Sequence, residues 1–410
     1  MSELIKELYG KDFNKTPFQV LLQLDRYTVK ELDTTKTKVG DIIVGVYDDS
    51  NPDYPQKDFG RVTAIDGDKI TFKGEMTLNE YTVHRRRIML PLDPKWEDAV
   101  DRYTKGSMAI EEKYQQKDRY EYEKRIKKAL YNEEVVPGGR IQASIGGFEK
   151  FAKDLNLTAY NCYVIPSPQD SRKGIMETLT TMTEIMSRGG GVGINISTLR
   201  PKYAKVYGVN GTSSGSVSWG GLYSYVTGLI EQAGSRRGAL MLQIHITHPD
   251  VRDFITVKRE MGKITNANLS VQITKEFMEA VENDADWNLI YPDTTHPDYD
   301  AKWGSEYLDI HDWLNDGLPV EIYETVKAKE IYDLIIESAW ASAEPGFVIY
   351  DNMNDGRMTP TQLLNKLDDS SLHVLNRAVA PVEKVVPWNN TYYYQKNVCT
   401  NPCGEELASR

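Results

Sequence analysis

The chain has 410 residues, enough for two or three domains and a large buried core. Its formal net charge is -11, from 49 Lys and Arg against 60 Asp and Glu, and no basic block is present to track a phosphate backbone, so nucleic acid is not an expected partner. No run reaches membrane-spanning length, the opening MSELIKELYGKDFNK lacks the apolar stretch of a signal peptide, and three cysteines are too few for a secreted disulfide framework; a cytoplasmic protein is expected. Residues 1–37 read as an N-terminal helical segment. Residues 38–92 read as a small β-rich module: DIIVGVYD and GRVTAIDGDKITF alternate apolar and polar residues, and Asp66-Gly67 is a hairpin-type signal. Residues 93–136 form a helical region dense in Lys, Glu and Tyr, with a helix expected over YEKRIKKALYNEE.

From Pro137 onward strands and helices alternate, which argues for an α/β architecture with parallel strands. In SRKGIMETLTTMTEIMS, Ile175, Met176, Leu179, Met182, Ile185 and Met186 share one helical face, with Asp170 and Ser171 placed to cap it. A second helix, GGLYSYVTGLIEQAG, aligns Leu222, Val226, Leu229 and Ile230 and is expected to end at Gly234. GALMLQIH, ANLSVQIT and GFVIYD read as strands, KEFMEAVEN and AKEIYDLIIESAWAS as helices, and residues 352–396 as an extended excursion.

Several residues could carry chemistry. SRGGGVGIN, with Gly190 and Gly191, is either a backbone cradle for a nucleotide or substrate or a tight helix-to-strand turn. Arg236 and Arg237, between Gly234 and Gly238, suit phosphate or base recognition, or are an ordinary solvated pair. His245, His248, Asp250 and Asp253 lack the thiolate or third His of a defined zinc pattern, so no metal site is expected. Cys162 leads an apolar run and by itself reads as a small buried hydrophobe. Cys399 and Cys403 are four apart with no matching pair, a poor zinc or dithiol motif. If residues 401–405 are extended, Asn401, Cys403 and Glu405 project to one face, bringing an amide, a thiol and a carboxylate together.

NPCGE resembles the active-site signature of ribonucleotide reductase catalytic chains, specifically the adenosylcobalamin-dependent class II kind. NCYVIPSPQDSRKGIMETL, SRGGGVGINISTLRP, GVNGTSSGSVSW, AGSRRGALM and HPDVRDFITVKRE are similar to the same family in the same order, from about Pro137 to Glu405. The resemblance implies a ten-stranded α/β barrel of two parallel five-stranded halves with a central finger loop, of which residues 137–410 would be the first part. It implies Cys403 as the thiyl radical site that takes the 3′ hydrogen of a ribonucleoside di- or triphosphate. Glu405 would take the 3′ hydroxyl proton, Asn401 would hold the substrate, and Cys162 would be one of two thiols that end as a disulfide. Asp170 matches the effector-contacting position, with Ser171 beside it, and the loop with Arg236 and Arg237 looks like the specificity loop. PGGRIQAS, with Gly139 and Ser144, resembles the segment lining the substrate site, which Asn161, Gly190 and Gly191 would join. Cys399 receives no role.

The resemblance implies adenosylcobalamin, or alternatively a radical delivered by a separate metal-containing subunit, as in class I. It also implies a thioredoxin- or glutaredoxin-type reductant, dNTP or ATP effectors and a dimer of the assembled enzyme. The family's second reducing cysteine and phosphate loops lie downstream of NPCGE, so the expectation is a split or truncated enzyme completed by a carboxyl-terminal half chain. A non-catalytic nucleotide-binding regulatory or assembly subunit is the competing expectation. The module at 38–92 has no counterpart in the resemblance.

Overall fold

The computed structural model describes residues 2–10, 13–51, 54–114, 119–146, 157–158, 160, 161–232, 236–259, 263–307, 309–355, 397–400 and 407–409. They belong to two compact units, residues 1–161 and 162–410.

In the first unit α1 (Glu3–Tyr9) and α2 (Pro17–Leu22) start at side-chain caps, Ser2 accepting from the Ile5 N–H and Thr16 forming a capping box with Gln19. Strands β1 (Lys30–Glu31), β2 (Ile42–Asp48), β3 (Gln56–Asp66), β4 (Lys69–Gly74), β5 (Glu80–His84) and β6 (Ile88–Pro91) form an antiparallel sheet ordered β1-β6-β2-β3-β4-β5. The alternation in the sequence corresponds to its two sides. Ile43, Val62, Ile70 and Phe72 cluster on one, while Ile42, Val44 and Phe59 join apolar residues of the helices on the other. The β3–β4 connection is Gly67-Asp68, with Gly67 at φ +56°, a conformation that glycine reaches without strain.

Helices α3 (Trp96–Tyr114), α4 (Arg119–Tyr131) and α5 (Gly139–Ser144) complete the unit. Arg102 of α3 is fully buried against an equally buried Asp93, Nε to Oδ2 at 2.7 Å. Its two terminal nitrogens donate to the carbonyls of Ile145 and Tyr27, and the other Asp93 oxygen accepts from the Val29 N–H.

The second unit runs β7 (Cys162–Val164), α6 (Arg172–Ser187), β8 (Gly191–Asn195), β9 (Lys205–Val206), β10 (Gly211–Thr212), α7 (Ser216–Leu229), β11 (Glu231–Gln232) and β12 (Arg236–Arg237). It continues with β13 (Leu240–His245), α8 (Val251–Thr256), β14 (Asn268–Ile273), α9 (Lys275–Glu282), β15 (Asp286–Pro292), α10 (Tyr299–Lys302) and α11 (Ile310–Asn315). Then come β16 (Val320–Lys327), α12 (Ala328–Ser342), β17 (Gly346–Ile349), α13 (Tyr350–Asp355), β18 (Asn397–Thr400) and β19 (Leu407–Ser409). Five strands form a sheet ordered β17-β14-β13-β8-β7, every neighbouring pair parallel. The expected α/β architecture is present as this five-stranded parallel sheet, and no closed barrel forms among the described residues.

Helix α6 follows its periodicity: Ile175, Met182 and Met186 are buried, Leu179 and Ile185 pack against the core, and Met176, a step round the helix, is 44% exposed. Helix α7 follows its expected row in part: Val226 and Ile230 pack against the core. Its buried face is Gly220, Tyr223, Ser224 and Thr227, while Leu229 is 64% exposed. Small residues allow close approach to the sheet, since a Cβ on Gly220 would stand 3.1 Å from the Leu242 side chain. The Tyr223 hydroxyl donates to the Ile175 carbonyl at 3.1 Å. The helix also ends at Leu229, before Gly234, because Glu231–Gln232 pairs with Arg236–Arg237. Of the segment 352–396 expected to be extended, residues 352–355 are helical and 356–396 lie outside the described residues. The hairpin of β15 with β16 had no expectation attached to it.

Candidate active site

Strand alternation gives the parallel sheet two faces. Val192, Ile194, Leu240, Leu242, Ile244, Leu269, Val271 and Ile273 belong to the apolar core. The intervening residues, Gly191, Gly193 and Asn195 of β8, Met241, Gln243 and His245 of β13, and Ser270 and Gln272 of β14, occupy the opposite face. Cys162 is paired with Gly191 and Val164 with Gly193, so the half-buried Cys162 lies on this second face, beside two positions without side chains.

The face is polar and internally bonded. Gln272 Nε2 donates to Gln243 Oε1 at 2.9 Å, and Asn195 Nδ2 to Gln272 Oε1 at 3.4 Å. Asn195 Oδ1 accepts from the Ser197 N–H and hydroxyl, and the Ser197 hydroxyl oxygen accepts from the His245 N–H at 2.7 Å. Burial makes such amides costly unless bonded, so the ladder fixes their orientation. At the carboxyl ends of β13 and β17, His245 Nε2 lies 3.2 Å from His311 Nε2, the His311 and Tyr350 rings stack at 5.4 Å, and the Tyr350 hydroxyl donates to Asp309. Burial, with Asp309 beside it, pushes the Tyr350 phenol well above its ordinary range. This end of a parallel sheet is where α/β folds bind ligands. Sequence reasoning missed these groups; the signal was Asn195, Gln243, His245, Ser270 and Gln272 alternating with apolar residues in three strands.

Strands β18 and β19 pair antiparallel, with Thr400 opposite Leu407. The backbone of β18 runs close to β8 and that of β19 close to β7. Residues 401–406 between them, with Asn401, Cys403 and Glu405, lie outside the described residues. Cys399 and the Arg236-Arg237 pair are described only as backbone, in β18 and β12.

The triple glycine has a structural account. Gly189, at φ +95°, donates to the Met186 carbonyl and Gly190 to that of Ile185, the double bond of a glycine-terminated helix. A Cβ on Gly190 would sit 2.7 Å from Ile185 and the Tyr163 ring. Gly190→Ala is therefore expected to destabilise by about 1–3 kcal/mol, read as a lower midpoint in urea unfolding. Gly191, just beyond, opens β8. In the first unit a Cβ on Gly139 would meet the Tyr27 ring at 2.8 Å, and the Ser144 hydroxyl donates to the Arg140 carbonyl; Asn161 is exposed before β7.

Ser171 caps α6 as expected, accepting from the Gly174 N–H at 3.0 Å. Asp170 does something else. Its side chain, 6% exposed, accepts from the Arg200 N–H at 3.0 Å, from Arg200 Nε at 2.5 Å and from the Tyr299 hydroxyl. The candidate metal ligands are also engaged. His248 Nε2 donates to the Leu199 carbonyl and its Nδ1 accepts from the Asp250 N–H. Asp250 accepts from the Lys202 N–H and from the Ser216 N–H and hydroxyl, and Asp253 pairs with Lys202. Among the described residues no group of three or more His, Cys, Asp or Glu could hold a metal ion.

The family description "Ribonucleotide reductase, barrel domain" matches residues 160–408, more than half of the chain. The chain belongs to the ribonucleotide reductase family. A vitamin B12-dependent ribonucleoside-diphosphate reductase of Mycobacterium tuberculosis (strain ATCC 25618 / H37Rv) is 30% identical over 293 residues, 70% of this chain and 37% of that protein. One from Thermoplasma acidophilum is 33% identical over 211 residues, 51% of this chain and 24% of that protein. The ribonucleoside-diphosphate reductase large chain 2 of Saccharomyces cerevisiae is 29% identical over 218 residues, 52% of this chain and 24% of that protein. The chain thus spans well under half the length of the relatives it matches. No helix among the described residues is long and apolar enough to cross a membrane.

Proposed function

We propose that this ribonucleotide reductase chain carries the radical-bearing part of a class II active site and reduces ribonucleotides in the cytoplasm for DNA precursor synthesis. The observation that supports this reading is the placement of Cys162 on the polar face of the parallel sheet, beside Gly191 and Gly193, with the strands flanking NPCGE close to the same two strands. In the proposed reaction Cys403 as a thiyl radical takes the substrate's 3′ hydrogen. Sulfur–hydrogen and activated carbon–hydrogen bonds are close in strength, so the transfer reverses. Glu405 accepts the 3′ hydroxyl proton and Asn401 holds the sugar. The 2′ hydroxyl leaves as water; Cys162 and a second thiol supply two electrons, end as a disulfide, and are restored by a thioredoxin- or glutaredoxin-type protein.

Residues 137–410 are read as the first part of a ten-stranded barrel, and 1–37, 38–92 and 93–136 as its helical, β-rich and helical forerunners. Gly139, Ser144, Asn161, Gly190 and Gly191 are read as lining the substrate site. Asp170, Ser171, Arg236 and Arg237 are read as serving a dNTP or ATP effector. Turnover is read with the remaining length of the relatives present, as a complementary carboxyl-terminal half chain or further sequence, in a dimeric assembly.

The cofactor of this reading is adenosylcobalamin, in keeping with the vitamin B12-dependent reductases the chain is similar to. When bound it supplies the oxidising radical equivalent. A second reading, a class I chain with a separate radical-generating subunit, is in keeping with the name of the yeast relative as a large chain.

The test is deoxyribonucleotide formation from each ribonucleoside di- and triphosphate by the chain with its complementary part, a dithiol, and either adenosylcobalamin or a radical-generating subunit. Activity should be lost in Cys403→Ser; turnover surviving that substitution refutes catalysis and leaves a nucleotide-binding regulatory subunit.

A further inference from the structure

We infer that Tyr299 is a latch on Asp170: its hydroxyl holds the carboxylate that an effector's ribose hydroxyl would otherwise engage, and its release transmits nucleotide binding to the loop after β8. The inference rests on the effector reading of Asp170 and adds to it a residue from a distant part of the chain.

A carboxylate has about four acceptor positions. Three donors already reach Asp170: the Arg200 N–H, Arg200 Nε and the Tyr299 hydroxyl. The two Arg200 bonds hold neighbouring backbone in place. The phenol is different, because an O–H donor on a carboxylate is the contact a sugar hydroxyl makes. With the side chain 6% exposed, a ribose hydroxyl gains Asp170 most directly by replacing Tyr299.

Tyr299 does not act alone. Its hydroxyl is 3.0 Å from that of Tyr291, which donates to the Thr198 carbonyl at 2.5 Å. Trp303 Nε1 donates to the same carbonyl at 2.8 Å and to the Tyr291 oxygen at 3.0 Å. Thr198 follows Asn195 and Ser197, the pair that begins the amide ladder on the polar face. Burial, with the Asp170 charge next, keeps both phenols protonated, so both donors persist across the physiological pH range. A ligand that displaces Tyr299 thus removes the neighbour 3.0 Å from the Tyr291 hydroxyl, whose own proton is on the carbonyl three residues beyond β8.

The experiment is calorimetric titration of the full chain with ATP and with dATP, together with hydrogen exchange of residues 196–200 and 291–303. Tyr299→Phe, checked for folding by circular dichroism, should bind nucleotide roughly fivefold more tightly, the gain from removing one competing hydrogen bond. It should also lose the nucleotide-induced change in exchange seen in the unmodified chain. Tyr291→Phe, which leaves the donors of Asp170 intact, should keep the original affinity and lose the change in exchange at Thr198. Equal affinity and equal exchange response in Tyr299→Phe, with binding abolished by Asp170→Asn, overturns the latch and leaves the effector reading standing. Binding unaffected by Asp170→Asn, or absent from every chain, removes the effector reading and the latch with it.

Discussion

Replacement of Asp93 by alanine is expected to destabilise the chain by roughly 3–5 kcal/mol, because it leaves the Arg102 guanidinium buried without a counter-charge. Neither side chain of this pair reaches solvent, and the guanidinium's further contacts, the carbonyls of Ile145 and Tyr27 and the Tyr103 ring at 4.7 Å, carry no full negative charge. The Val29 N–H loses its acceptor at the same time. Against a typical total of about 5–15 kcal/mol, such a loss is enough to unfold the first unit at moderate temperature. The measurement is urea unfolding followed by circular dichroism. Removing both charges should cost less than removing one, since two apolar residues in place of a buried ion pair are often neutral or stabilising. A double variant, Asp93→Leu with Arg102→Met, is therefore expected to be more stable than Asp93→Ala. If Asp93→Ala unfolds with the original midpoint, the pair is not supporting the unit.

The second large effect is catalytic. Under the proposed reaction, Cys162→Ser is expected to reduce multiple-turnover deoxyribonucleotide formation, assayed with the complementary part present, by roughly 1,000-fold or more, as serine cannot form the disulfide that this proposal assigns to the thiol. Serine is nearly isosteric and the site is half-buried, so stability should change by about 1 kcal/mol or less. Nucleotide affinity, read by calorimetry, should not move. Loss of binding together with activity would make Cys162 a packing residue and remove its proposed role.

The regular part of the fold was legible. Ser171 before the periodic residues of α6, and the apolar runs of β13 and β14, are local signals, and the structure follows them. Helix α7 was legible in part: Val226 and Ile230 of its apolar row pack against the core, but its fully buried face is Gly220, Tyr223, Ser224 and Thr227, and hydrophobic periodicity carries no information about how closely a helix can approach a sheet. The glycines of 189–191 were left open between cradle and turn. Spacing could not show that Gly190 is required by the Tyr163 ring, a neighbour 27 positions earlier in the chain. The Asp170–Arg200–Tyr299 contacts were equally hidden. Asp170 and Tyr299 are separated by 129 residues, and nothing in the sequence around Tyr299 distinguishes it from the other tyrosines. The motif at Cys403 is the reverse case: conspicuous in sequence, and outside the described residues.

Cys162 sits on β7, a strand of three residues that among the described residues is hydrogen-bonded in the sheet to β8 alone, with β19 running close to it. The inner strands β8, β13 and β14 have partners on both sides. Edge elements of this kind open locally at far lower free energy than the core they border. The thiol therefore rides on the part of the sheet that can peel away while the rest stays folded. Its reactivity toward an alkylating reagent is expected to report that partial opening and to saturate at denaturant concentrations well below those that melt the helices.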